Sequence, residues 1–167
     1  MMDLVVRAPR LPVIGESLLS HSFRTSPGGK GGNQAIAAAR LGASVTMIGQ
    51  VGADRFGEIL RERLEAEGVD TRFVSVDPEL GTGVAVPIVL DSGENAIFAV
   101  PQANLTLSPL LMERARDVIS SAGMLLVQFE VNMDATLAAM RLAEAARVPI
   151  CQSQDRHIAQ RPPHIDD

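Results

Sequence analysis

Apolar positions along this chain follow two different periods, and the switches between them mark its elements. Val45 to Val51 is a short, mostly apolar run of the kind buried on both faces of a parallel sheet. Met124 to Phe129 is a second such run, with Glu130 at its carboxyl end, and Val148-Pro149-Ile150 opens a third. Between them the period changes to a helical one. Phe56, Ile59, Leu60 and Leu64 recur on one face as far as Gly68, a C-terminal cap signal. Ser108-Pro109 supplies an N-cap and a first-turn proline for a helix through Leu110, Leu111, Ala115, Val118 and Ile119, ending near Gly123. Leu137, Met140, Leu142 and Ala143 mark another helix from about Asp134 to Ala146. Leu4–Val6, Leu18–Phe23 and Val69–Val76 read as strands. Thr82–Leu90 and Ala96–Val100 flank Asp91-Ser92-Gly93-Glu94, a strong hairpin signal.

This β-α-β-α alternation with an inserted hairpin predicts an α/β fold, a doubly wound sheet carrying a small β flap. In such sheets ligands sit outside the carboxyl ends of the strands, which is where Glu130 falls. Residues 151–167 carry neither period and are expected to form an irregular tail.

One segment breaks both periods for a chemical reason. Gly28-Gly29-Lys30-Gly31-Gly32-Asn33 holds the only lysine of the chain and precedes an alanine-rich helix expected over Gln34–Leu41. Glycines let the backbone approach a ligand and take up positive φ, and the helix would aim its unpaired N–H groups at the same place. The run is neither of two nucleotide loops. A Walker-type loop needs Ser or Thr after the lysine, where Gly31 stands, and a dinucleotide fingerprint needs glycine where Gln34 stands. A polyhydroxylated ligand suits it, since backbone amides and Asn33 can both donate to and accept from hydroxyls.

Composition narrows the partners. Net charge is −5 and aromatics are 3%, with no Trp or Tyr, which argues against nucleic acid and anionic membrane. Hydrophobic residues make up 46% of the 167 positions, enough for one domain's core, yet no apolar run approaches membrane-spanning length. A single cysteine, Cys151, fits a reducing cytoplasm. Cys151, His157, His164, Asp166 and Asp167 match no zinc spacing, and Asp54 and Arg55 read as cap and surface residues.

Ser26-Pro27-Gly28-Gly29-Lys30-Gly31-Gly32-Asn33-Gln34-Ala35, continued through Arg40-Leu41-Gly42-Ala43 and by Gly49-Gln50-Val51-Gly52-Ala53-Asp54-Arg55-Phe56-Gly57, resembles the first signature of the ribokinase (PfkB-type) carbohydrate kinases. Thr82-Gly83-Val84-Ala85, Ala103-Asn104-Leu105, Leu107-Ser108-Pro109 and Gln128-Phe129-Glu130 follow in the family's order, so the resemblance runs from Asp3 to about Ile150. It implies a ribokinase-like fold and ATP-dependent phosphorylation of a sugar, ribose first and fructose-type sugars behind it. Asp3 would be the carboxylate that binds sugar hydroxyls, Gly29, Lys30 and Asn33 the glycine-loop contacts, and Glu130 the strand-end acid. The flap, from strands around 3–23 and 82–100, would close over the sugar and pair two subunits as a homodimer. ATP, Mg²⁺ and a monovalent cation are the implied cofactors.

The chain also departs from the family. Met1 stands where the family has a sugar-binding Asn at the end of an N-terminal strand. The family's second half, with its nucleotide pocket, Gly-Ala-Gly-Asp anion hole and catalytic Asp, has no counterpart here. The expectation is a fold truncated at both ends that keeps most of a sugar pocket and has no kinase activity alone. The alternative is a non-catalytic sugar-binding or dimerisation module.

Overall fold

The computed structural model describes residues 1–152; the tail positions His157, His164, Asp166 and Asp167 lie outside them. Four strands make the flap: β1 (Met2–Ala8), β2 (Ser22–Pro27), β5 (Val84–Leu90) and β6 (Asn95–Val100), in the order β2-β1-β5-β6. β1 and β5 run parallel, while β1–β2 and β5–β6 are antiparallel. The hairpin turn closes at Gly93, whose φ of +87° takes the left-handed conformation that the sequence signal requires.

Beneath the flap lie two parallel pairs, β3 (Thr46–Gly52) with β4 (Asp70–Asp77), and β7 (Leu125–Val127) with β8 (Ile150–Gln152). Strand side chains alternate faces, and helices cover both. On one side α1 (Lys30–Arg40) and α2 (Arg55–Ala66) bring Ala35, Leu60 and Leu64 against Met47, Val51 and Val74. On the other, α3 (Pro109–Arg114), α4 (Arg116–Ser120) and α5 (Met133–Ala145) build a cluster of Met112, Ala115, Ile119, Ala139 and Leu142. Ile48 and Phe73 pack on that cluster from one pair, Leu125 and Ile150 from the other. Both pairs therefore share one helical layer, the doubly wound arrangement. Met2, Leu4 and Val84 reach into the α2-side cluster and seat the flap on it.

Caps explain the helix boundaries. Asp54 accepts the Gly57 N–H for α2, Ser108 the Leu110 N–H for α3, and Asn132 the Asp134 and Ala135 N–H groups for α5.

Several boundaries differ from the sequence pattern. β2 occupies Ser22–Pro27 rather than Leu18–Phe23, so the flap extends past residue 23, and Leu19 is left exposed in the preceding loop. Backbone pairing with β1, from Val6↔Phe23 to Met2↔Pro27, selects the polar Arg24-Thr25-Ser26 stretch over the apolar one. α1 starts at Lys30, four residues before Gln34, so two loop glycines are helical. The single helix expected after Ser108 divides at Ala115, which is fully buried. β8 continues through Cys151 and Gln152, two residues into the expected tail, because parallel pairing with Leu126 and Val127 supplies an order that composition does not show.

Candidate functional site

The site forms where β1, the start of α1 and the segment after β7 converge. Gly29 is the N-cap of α1, at φ +83° and ψ 133°, and no side chain caps the helix. Its first hydrogen bond runs from the Asn33 N–H to the Gly29 carbonyl at 3.0 Å. The amides of the first turn, at Lys30, Gly31 and Gly32, thus point outward with the positive end of the helix dipole. Gly31 sits against the Met47 methyl and the Gln128 stem, and Gln128 donates to Gln34 at 2.6 Å. That bond ties α1 to the end of β7.

Lys30, the first residue of α1, forms an ion pair and hydrogen bond with Glu130, which lies in a bend just beyond β7. Both side chains are about one-third exposed, 37% and 35%, so the pair is half-buried and open to solvent rather than sealed in the core. An ammonium carries three donors, a chemistry suited to ligand oxygens as well as to a carboxylate.

Asp3, on β1, reaches the same place from the flap. Its carboxylate lies directly against Gly28, where a Cβ would overlap it. Burial raises the Asp3 carboxyl above its ordinary value, while the Met1 amino group pulls it back. That amino group is itself lowered by burial, against the attraction of Asp3 and Glu130, so both carboxylates face it. Asn33 lies one turn after Lys30, on the same face of α1, with its side chain exposed. Asp3, Gly29, Lys30 and Glu130 are brought together, and Asn33 stands at the margin. The arrangement is two carboxylate acceptors, one cation and a row of outward amides, a set that matches a ligand carrying several hydroxyls.

Two carboxylates that sequence reasoning assigned no site role turn out to organise the surroundings. Asp54 caps α2 and also binds Thr82 at the root of β5. Asp77 accepts from the Thr106 hydroxyl at 2.5 Å, the Gln50 amide at 3.0 Å, and the Glu79 and Leu80 N–H groups. These donors, the Thr106 hydroxyl foremost, hold its carboxyl down at about 2. A separate groove lined by Val51, Asp54, Glu58, Arg61, Glu62 and Glu65 contains none of the five sequence-predicted residues.

Among the described residues no three His, Cys, Asp or Glu side chains gather to hold a metal ion, and no helix is long and apolar enough to cross a membrane.

The profile of the pfkB family carbohydrate kinases matches residues 1–161. Ribokinase from Bacillus subtilis (strain 168) is 40% identical over 149 residues, covering 89% of this chain and 50% of the relative. Ribokinase from Mus musculus is 38% identical, covering 89% of this chain and 46% of the relative. The structure of Arabidopsis thaliana ribokinase complexed with ribose and ATP superposes with a TM-score of 0.79 at 28% identity, over 90% of this chain and 49% of that one. The chain spans about half the length of the curated relatives it matches.

Proposed function

Because the chain belongs to the pfkB family of carbohydrate kinases, we propose that it carries the sugar-binding part of a ribokinase-type enzyme, with ribose as the sugar. In the full reaction ATP would supply the phosphoryl group and its Mg²⁺ and monovalent cation would offset charge. The residues of this chain bind and orient the acceptor. Asp3 and Glu130 accept hydroxyl protons, Lys30 and the α1 amides donate, and Asn33 bridges at the rim. The observation that carries this reading is the Lys30–Glu130 pair at an uncapped helix start, facing a carboxylate from the flap. A sugar missing a hydroxyl would leave one of these groups desolvated and unpaired, which is how such a site selects. The chain is proposed to act in the cytoplasm and to pair with a second copy through its flap.

The test is binding and turnover on the same sample. Saturation-transfer NMR with labelled ribose should show contact without ATP, while a coupled assay for ADP release with ribose, ATP and Mg²⁺ shows no turnover. Lys30→Ala should weaken binding by about tenfold or more, since charge-assisted hydrogen bonds contribute about 1.5–3 kcal/mol. Its stability should change by less than about 1 kcal/mol, because a partly exposed pair contributes little. Ribose contact that survives Lys30→Ala unchanged, or turnover at ordinary kinase rates, would overturn the proposal.

A further inference from the structure

The proposed sugar site is divided between two layers. Asp3 belongs to the flap, and Lys30 and Glu130 belong to the core, so the site is complete only when the layers hold a fixed relation. Thr82, which leads into β5 and is 2% exposed, is where that relation is set. Its hydroxyl donates to Asp54 Oδ1 at 2.7 Å and accepts from the Gly52 N–H at 2.9 Å. Its own N–H donates to Asp54 Oδ2 at 2.7 Å. Asp54 Oδ1 meanwhile caps α2 through the Gly57 N–H at 2.8 Å. One carboxylate thus joins the flap root to the first turn of a core helix.

The packing around this junction is backbone against backbone. A Cβ on Gly52 would lie 2.5 Å from the Gly81 carbonyl carbon and the Thr82 nitrogen, and one on Gly83 would lie 2.5 Å from the Pro101 carbonyl oxygen. A Cβ on Gly57 would strike the Gly52 carbonyl. The turn that follows β6 meets the same point, where the Gln102 side-chain amide donates to the Thr82 carbonyl at 3.2 Å. From Thr82 to the site is a short path. The Gly83 carbonyl accepts the Met2 N–H at 2.9 Å, and this begins the β1–β5 register that places Met2 opposite Val84 and Asp3 opposite Ala85.

We propose that Asp54 is a positioning residue: acting through Thr82, it pins the flap root to the core and holds Asp3 in place against Lys30 and Glu130. This rests on the sugar-site reading for its consequence, but the pin itself can be measured without sugar. Burial pushes the Asp54 carboxyl up, yet the bonds from Thr82, Gly57 and Phe56 outweigh it and leave it below its ordinary value, in keeping with a carboxylate committed to these donors.

The experiment compares the full chain with Thr82→Val, Thr82→Ser and Asp54→Asn by amide hydrogen exchange and by labelled-ribose binding. Valine keeps the shape of threonine and removes the hydroxyl, whereas serine keeps the hydroxyl. Thr82→Val should speed exchange of β1 and β5 amides by about tenfold or more while β3 and β4 amides keep their protection. Ribose affinity should fall by about tenfold with it, the equivalent of one charge-assisted bond. Thr82→Ser should restore both, and Asp54→Asn, which loses one acceptor oxygen, should lie between. Equal acceleration in flap and core would mean a general stability role and would overturn the proposal, as would flap exchange within about twofold of the parent. If Thr82→Val does not fold, Asp54→Asn decides by the same comparison. If the parent chain fails to bind ribose, the sugar reading falls, and the exchange result still settles the pin.

Discussion

Asp3 is the residue on which pH acts most directly. Burial holds its carboxyl above the ordinary 3.8, with the Met1 amino group working in the opposite direction. A raised carboxyl means that the folded chain disfavours the charged form. Its contribution to stability is therefore unfavourable above the folded pKa and is relieved as the pH falls through that value. Sugar binding runs the other way, because a hydroxyl donates more strongly to the ionised carboxylate than to its protonated form. Affinity for ribose should be full at neutral pH and decline on acidification with a midpoint above 3.8. An affinity series by NMR from neutral pH downward measures this. The expected result is loss of binding while far-UV circular dichroism still reports a folded chain, and undiminished affinity at 3.8 would remove Asp3 from the site. Asp77 provides the internal contrast. Its carboxyl is held down at about 2, chiefly by the Thr106 hydroxyl, so its stabilising contribution is present above about 3.8 and is lost only as the pH falls toward 2.

At the scale of elements, α1 and its glycines decide whether the site exists. Four glycines flank Lys30, and they do different work. Gly29 has φ +83° and ψ 133°, and a Cβ there would lie 2.8 Å from the Met1 nitrogen. Gly32 is helical and meets nothing within 4 Å. Substitution by alanine should therefore have opposite signs at the two positions. Gly29→Ala should cost about 1–3 kcal/mol of stability for a backbone that alanine resists. Gly32→Ala should add about 0.5–1 kcal/mol, the usual gain for replacing glycine inside a helix. Urea unfolding of both variants checks this, and a destabilised Gly32→Ala would place residue 32 outside the helix. The same segment shows where sequence reading succeeds and where it stops. Glycines have poor helix propensity, so the pattern starts the helix at Gln34, and only packing of Gly31 on Met47 and Gln128 reveals the earlier start. α2 was legible because its apolar spacing and its cap are local, and so was the β5–β6 hairpin. β2 was misplaced because its limits come from register with β1. The positions of Lys30 and Glu130 were legible as a loop and a strand end, but their pairing across 100 residues was not. Asp54 reads locally as a cap, which it is, and nothing near it in sequence points to Thr82.

For the whole molecule, the open question is how it associates, because it presents two kinds of unsatisfied surface. The first is edge backbone: β3 and β7 each pair on one side only among the described residues. The second is the flap face. Pairing register puts Met2, Leu4, Val6, Phe23, Val84, Val86, Ile88 and Phe98 on one side of the flap sheet. Near the root Met2, Leu4 and Val84 pack into the core, but farther out Phe23 is 64% exposed and Phe98 is 65% exposed. An apolar patch that continues outward from a buried cluster marks a surface built for contact. The two surfaces lead to different assemblies. Edge pairing is open-ended and produces growing aggregates. A face that meets its own copy about a two-fold axis closes at a dimer. If the flap face dominates, sedimentation velocity over about 1–100 μM should show a monomer giving way to a species of twice the mass and nothing larger. Replacing Phe23 and Phe98 together by lysine should hold the chain as a monomer across that range. Its thermal transition should stay within a few degrees of the parent, because neither ring is part of the core. Heavy species that persist in the double variant would assign the association to the strand edges and remove the flap as a dimer surface.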